Sequence, residues 1–542
     1  MRDIDGALEG QPGDRWNLVR HSGLRLSATA PAGAVLALVW LLLFASPGVA
    51  APGQWVDPAA EARNLLIWSE TTRDLVGKLG TGYPARLAAA TVDYQRRRLE
   101  ALRTDPERQP NPNSCTLVLT CPIDPEVGID RWRASGGLAE PVLFTSRSGA
   151  TLSGTVWATA DGPARRPGVV FANGSIVGFE QAYWFLAQAL ARAGYVVLTY
   201  DPQGEGMSDQ FGEAPDQLED AFAGTPLLGF VGPQSVTGAL LNGTNRPVGD
   251  GLGLGGNGLP FYDGQIDALD FFLSAPDRPY LPRPSRSTGT DHSAKQQRRA
   301  AAGTASGYNP LWKLVDDSKI GLAGHSYGAQ AASWNGQADP RVRAVVALDS
   351  LCLPGPPQDE MLAFATAPVN NILGVQLPAL YGFPDRCFGA PNEPPPALTT
   401  PALHMTGDYL IAPVPYAQSP DPESKSHASQ AYSKAGVDSA AIVLRGGNHI
   451  DFSDSVGLIP SSLRGRDMAT WYTTAWFDKY LRHSPTADAE LTDPPWRNDS
   501  ATAAVDPSGD ANAYSYHYLS RLDITRADGT RYRCEDLRAG CA

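Results

Sequence analysis

The chain has 542 residues, of which 42% are hydrophobic, 19% charged and 9% aromatic, with 55 glycines and 46 prolines. That apolar fraction excludes disorder throughout, and the glycine and proline content excludes a coiled coil or helical array. The formal net charge of −13, from 44 Lys plus Arg against 57 Asp plus Glu, argues against nucleic acid or an anionic membrane as the main partner, because a net acidic surface repels both.

The first element is an apolar run from Ala34 to Ala45, too short for the ~20 residues of a membrane span. Arg15, Arg20 and Arg25 precede it, and Gly48-Val49-Ala50 offers small residues at a cleavage site. Residues 1–50 therefore read as a secretory leader, with an uncleaved anchor as the alternative and no stable span expected after cleavage. Export suits the cysteines. Proximity suggests Cys115–Cys121, Cys352–Cys387 and Cys534–Cys541 among 15 connectivities, and none has metal-ligand spacing with a His partner.

A helical extension is predicted over 51–140, with Leu65, Leu66, Trp68, Leu75, Leu79, Leu87, Tyr94 and Leu99 at helical spacing and a break at Gly80–Pro84. From residue 141 to 485 short β-type runs alternate with amphipathic helices. Val142–Thr145 and Leu152–Trp157 form a hairpin around Gly149, followed by strands at Val169–Ala172 and Tyr195–Tyr200. A helix over Gln265–Ser274 precedes strands at Ile320–Ala323, Val342–Leu348, Ala402–Met405 and Ala441–Leu444, and a helix over Met468–Leu481 closes the domain. This alternation implies an α/β fold, a mostly parallel sheet covered by helices on both faces. Insertions are placed at 211–262, 278–309 and 353–400. The second, with Lys295, Arg298 and Arg299, reads as a solvated or disordered loop. The tail, 486–542, ends in a hairpin turning at Asp528-Gly529 and closed by Cys534–Cys541.

The chemistry centres on Gly324-His325-Ser326-Tyr327-Gly328, a G-x-S-x-G between an apolar strand and a helix-like run, the context of the nucleophile elbow of α/β-hydrolases. A serine hydroxyl needs a base to take its proton. The expected base is His449, in Arg445-Gly446-Gly447-Asn448-His449 after the last core strand, where two glycines let the loop turn back. His404 lies inside a strand and reads as buried structure, and His325 as packing on the elbow. For the acid that orients the imidazole, Asp349 ends the strand after the elbow and is favoured. Asp408, ending the next strand, is the alternative, because the usual spacing from Gly407 lands on Leu410 rather than an acid. The oxyanion donors are assigned to the Tyr327 amide and, after the strand Val169–Ala172, to the Ser175 amide.

With these residues the stretch from about Pro141 to Arg482 resembles secreted α/β-hydrolases, closest to the platelet-activating-factor acetylhydrolase and dienelactone-hydrolase-like branch. The motifs that carry the likeness are Gly324–Gly328, Ala347-Leu348-Asp349 and His449–Asp454. The 23 residues from Ser326 to Asp349 match the interval at which the acetylhydrolases and chlorophyllases place their acid, and the resemblance thereby implies Asp349. Ile411-Ala412-Pro413-Val414 also resembles a segment of bacterial cutinases, but the acid that precedes it there is missing here.

The expected function is an exported serine hydrolase of carboxylic esters, acting on a small-molecule or lipid ester with no cofactor and no metal. A serine peptidase or amidase, an acyl transferase, and a non-catalytic hydrolase-fold binding protein are the alternatives. Nothing in the sequence sets the oligomeric state.

Overall fold

The computed structural model describes residues 58–109, 123–174, 178–213, 259–286, 288–349, 351–354, 387, 393–410, 413, 420–454, 460–493 and 513–541. The expected leader (1–50), Cys115, Cys121, Ser175 and most of the insertions 211–262 and 353–400 lie outside these residues.

The strands are β1 Gly137–Thr145, β2 Thr151–Thr159, β3 Arg166–Ala172, β4 Val196–Asp201, β5 Val315–His325, β6 Val342–Leu348, β7 Ala402–Gly407, β8 Ser439–Leu444, β9 Arg521–Thr525 and β10 Arg531–Cys534. They form one ten-stranded sheet in the order β1-β2-β4-β3-β5-β6-β7-β8-β9-β10. From β4 to β8 every pairing is parallel, and the antiparallel pairs sit at the two edges. This is the α/β fold, a mostly parallel sheet covered by helices on both faces, expected from the alternation of strands and helices.

The helices are α1 Pro58–Trp68, α2 Glu70–Lys78, α3 Tyr83–Thr104, α4 Ile129–Ala134, α5 Trp184–Arg192, α6 Leu259–Phe272, α7 Ser293–Ala301, α8 Tyr327–Ala338, α9 His427–Lys434, α10 Leu463–Phe477 and α11 Ala487–Thr492. Successive residues of a strand face opposite ways, so the sheet builds two cores. Val169, Phe171, Val197, Met405 and Ile442 pack with Leu186 of α5 and Trp476 of α10 on one face. Val170, Ala172, Val196, Leu198 and Val345 pack with Phe271 of α6, Ala332 of α8 and Tyr432 of α9 on the other. Strands buried on both faces read as continuous apolar runs, and that made them legible.

Three expectations are corrected. In the N-terminal extension the helices form and break where predicted, but the apolar register faces inward only in part. Trp68 and Tyr94 are buried, whereas Leu79 and Leu99 are 61% and 68% exposed, Leu65 and Leu66 are also exposed, and Glu61, Asn64 and Ile67, outside the predicted set, are buried. Polar bonds dock α1: Asn64 Nδ2 donates to Tyr409 Oη at 2.9 Å and to Asp408 Oδ2 at 3.3 Å, and Tyr409 Oη donates to Glu61 Oε2 at 2.8 Å. Hydropathy spacing does not register such contacts. The 278–309 stretch is ordered around α7 rather than a solvated loop. Lys295, Gln296 and Arg299 share one helix face and are buried. Arg299 meets Asp105 at 2.6 Å, and Lys295 Nζ donates to the Gly149 carbonyl at 2.6 Å, so charged residues lie inside because they are paired. Finally, α6 begins at Leu259, six residues before the expected start, with Pro260 in its first turn, where a missing N–H costs nothing.

The hairpin at Asp528-Gly529 forms as expected and continues the main sheet through β9 on β8. Cys352–Cys387 and Cys534–Cys541 are both bonded. Among the described residues no helix is long and apolar enough to cross a membrane.

If α1 is an integral part of this fold, Asn64→Ala should lower the unfolding free energy by about 1–3 kcal/mol, because the Tyr409 and Asp408 acceptors lose a buried donor. Urea denaturation followed by tryptophan fluorescence measures this, and an unchanged midpoint would show that α1 is only loosely attached.

Candidate active site

β5 ends at His325 and α8 begins at Tyr327, so Ser326 makes the corner, with φ 57° and ψ −122°. For a residue with a Cβ this conformation costs on the order of 1–3 kcal/mol and persists only where its surroundings impose it. The flanking glycines are steric requirements. A Cβ on Gly324 would lie 2.2 Å from the Gly328 carbonyl oxygen, and one on Gly328 would lie 2.2 Å from the Ala172 carbonyl oxygen. The corner is thus pressed against the end of β3. The loop that follows passes beside the serine, since a Cβ on Gly174 would come within 3.0 Å of Ser326 Cβ.

Parallel register brings the next group into place. His325 lies opposite Leu348 in the β5–β6 pairing, so Ser326 and Asp349 leave neighbouring strands at the same level, at the carboxyl edge where open α/β sheets bind ligands. Asp349 also has positive φ, 39°, and its amide donates to the Met405 carbonyl of β7 at 2.8 Å. His449 follows β8 on a loop turned by Gly446 at φ 62°. That loop lies on β7: a Cβ at Gly407 would be 2.4 Å from the Gly447 carbonyl carbon.

His449 Nδ1 lies 2.7 Å from Asp349 Oδ2, and Thr406 Oγ1 donates to Asp349 Oδ1 at 2.6 Å. Burial alone would raise the Asp349 carboxyl. The bond to His449, its charge, the Lys425 ammonium and Thr406 outweigh that and hold it down to about 2. The His325 ring, beside Ser326 in the chain, lies against the His449 ring with centroids 4.4 Å apart, which sets the base next to the elbow.

Asp408 is placed elsewhere. Its carboxylate accepts from Gly446 N–H at 2.8 Å, from Ser515 Oγ and from Asn64, and His449 is bonded to Asp349 instead. Burial pushes the Asp408 carboxyl up. It ties the root of the His449 loop to both chain extensions. His404 is buried in β7 as expected, and burial lowers it to about 4. Tyr327 opens α8, so its amide lies at a helix N-terminus.

Sequence reasoning missed the residues that hold the loops. Asn448 and Asp451 form a reciprocal cap on the turn His449–Phe452: Asn448 Oδ1 accepts from Ile450 N–H at 2.8 Å and Asp451 Oδ2 from Asn448 N–H at 3.1 Å. Their three-residue spacing was a readable signal. Asp201 has no comparable local signature. It accepts from Asn173 Nδ2 at 2.9 Å and from the Glu180 amide at 2.7 Å through Oδ1, and from the Met207 amide at 2.8 Å through Oδ2. It thereby ties Asn173, at the end of β3, to Glu180 and to the turn after β4. Among the described residues no group of three or more His, Cys, Asp or Glu is arranged to hold a metal ion.

Among solved structures, the chain is similar to a ferulic acid esterase from Streptomyces cinnamoneus, with 16% identity, 65% of this chain and 92% of that chain covered, and a TM-score of 0.34. No protein-family model and no curated protein matches the sequence.

The two kinds of glycine give opposite expectations. Gly328→Ala must displace backbone and should destabilise by about 1–3 kcal/mol, whereas Gly77→Ala, with nothing within 4 Å of its added Cβ in exposed α2, should stabilise by roughly 0.5–1 kcal/mol. Thermal melts of both variants check this, and equal shifts would contradict the steric account of the elbow.

Proposed function

We propose that the chain is an exported serine hydrolase that cleaves carboxylic esters through an acyl-enzyme on Ser326. The observation that carries this reading is the 2.7 Å bond between His449 and the buried Asp349 beside a strained strand–serine–helix corner. Asp349 accepts from Nδ1–H, which leaves Nε2 as the lone-pair nitrogen that takes the serine proton. Ser326 Oγ attacks the ester carbonyl, His449 returns the proton to the leaving alcohol, and water resolves the acyl-enzyme by the same route reversed. The amides of Tyr327 and Ser175 stabilise the oxyanion, aided by the N-terminus of α8. Asp349 stabilises the imidazolium that forms and stays ionised. The likeness to the acetylhydrolase branch belongs to this proposal and rests on the Ser326–Asp349 interval. Export is supported by the Cys352–Cys387 and Cys534–Cys541 bonds, which persist in oxidising compartments.

A p-nitrophenyl ester series tests the reading. Ser326→Ala should lower kcat on the order of 10³-fold or more, and Asp349→Asn should approach that deficit. Asp408→Asn should instead lower the melting temperature and spare most of kcat. A Ser326→Ala variant with wild-type rate would end the proposal.

The pH profile is a further check. Asp349, lowered to about 2, stays charged above that value, and burial keeps His325 well below the ordinary histidine range. The acid limb of log kcat/KM should therefore have a slope of one, and a slope of two would show that a second group must ionise. The sign for stability follows from the same shift: a carboxyl depressed in the folded state stabilises above its unfolded value near 4 and loses that contribution as pH falls towards 2.

A further inference from the structure

His325 occupies the variable position of the elbow before the serine. It is 3% exposed, and both ring nitrogens have partners. Nε2 lies 2.8 Å from the backbone carbonyl oxygen of His449. A carbonyl oxygen only accepts, so Nε2 carries a hydrogen. Nδ1 lies 2.7 Å from Tyr183 Oη. In the neutral ring that nitrogen is bare, so the phenol donates to it. Burial, with His449 adjacent, pushes the His325 ring well below its ordinary value, and burial pushes the Tyr183 phenol up, so both partners keep these roles. Tyr183 Oη in turn accepts from the Gly174 amide at 3.3 Å.

The four groups form a chain of bonds with one direction: Gly174 N–H to Tyr183 O–H to the His325 ring to the His449 carbonyl. It starts in the loop beside Ser326 and ends on the backbone of the residue read as the base. The His449 amide is held separately, donating to the Leu410 carbonyl at 2.8 Å.

We infer that His325 is a positioning residue of the Ser326 site, which as the neutral Nε2–H tautomer ties the His449 backbone to the elbow while placing no charge against the His449 ring. The inference rests on the function proposed above and goes beyond it. Proton transfer requires the imidazole within hydrogen-bond reach of the serine, and a displacement of about 1 Å can cost 10²-fold in rate. The base arrives on a loop from β8 and the nucleophile on a corner from β5, with β6 and β7 between them. The His325–His449 bond spans that gap directly. Neutrality matters because His449 becomes an imidazolium when it takes the serine proton, and a second cation at a ring separation of 4.4 Å would oppose it.

The test compares His325→Leu, His325→Gln and Tyr183→Phe with wild type and Ser326→Ala on one p-nitrophenyl ester. Rates of the variants that keep Ser326 are expressed per active site titrated to completion with a fluorophosphonate, so misfolded protein does not count, and the Ser326→Ala rate is expressed per mole of folded protein. Leu fills similar space without either bond. Gln is uncharged and carries an amide N–H near the Nε2 position. Phe at 183 takes the donor from Nδ1, so the ring keeps its Nε2–H bond to the His449 carbonyl but loses the anchor on its other side.

His325→Leu should lower kcat by roughly 30- to 100-fold with KM changed less than about threefold, and Tyr183→Phe should lower kcat by about 3- to 10-fold. His325→Gln should recover at least about a third of the wild-type kcat, a rescue that a merely space-filling role does not produce. The proposal is overturned if His325→Leu keeps kcat within about twofold of wild type, or if Gln does no better than Leu. Should the Leu variant fail to fold, Tyr183→Phe decides: an unchanged kcat overturns the inference. A Ser326→Ala control with full activity would instead locate the failure in the parent reading.

Discussion

The structure depends on one buried charge. Asp349 is shielded from water at the end of β6, where an uncompensated carboxylate would cost several kcal/mol. It is tolerated because Thr406 from β7 and His449 from beyond β8 both supply hydrogens to it. Those bonds require β6, β7 and β8 to end at matched heights, and the parallel register does that, with Leu348 opposite Met405 and Gly407 opposite Leu444. They also require the His449 loop to lie flat on β7, which Gly407 permits by lacking a side chain. The sheet therefore works as a ruler that sets Asp349, Thr406 and His449 together at one edge.

Both chain extensions reinforce this edge from behind. The N-terminal helix α1 reaches Asp408 and Tyr409 through Asn64 and Glu61, and the C-terminal segment reaches Asp408 through Ser515. Ile67 of α1 packs on Gly446, where an added Cβ would lie 2.8 Å from it. Two regions that sequence composition sets apart as additions thus brace the root of the His449 loop. Asp408 makes the bonds of that bracing, while the imidazole Nδ1 is bonded to Asp349.

Much of this was legible in the sequence where the cause is local. The elbow glycines are fixed by contacts within a few residues or with one neighbouring strand, and strands buried on both faces announce themselves as apolar runs. The choice between Asp349 and Asp408 was not settled by counting, because spacing along the chain does not say which strand end faces His449. The α1 contacts and the buried face of α7 were hidden for another reason. There polar side chains are inside because distant partners satisfy them, Arg299 with Asp105 and Asn64 with Tyr409, and no periodicity encodes a partner hundreds of residues away. His325 shows the same limit: packing was the natural reading until the His449 carbonyl, 124 residues later, and Tyr183, 142 residues earlier, supplied partners for its two ring nitrogens.

The central claim is that Ser326 is a nucleophile activated by His449. Its most direct test is to treat the protein with a fluorophosphonate and map the adduct by peptide mass spectrometry, in wild type and in His449→Ala. The account predicts a single phosphonylated peptide carrying Ser326, with labelling slowed on the order of 10³-fold in the variant. An adduct on another residue, or labelling of Ser326 at an unchanged rate without the imidazole, would contradict it.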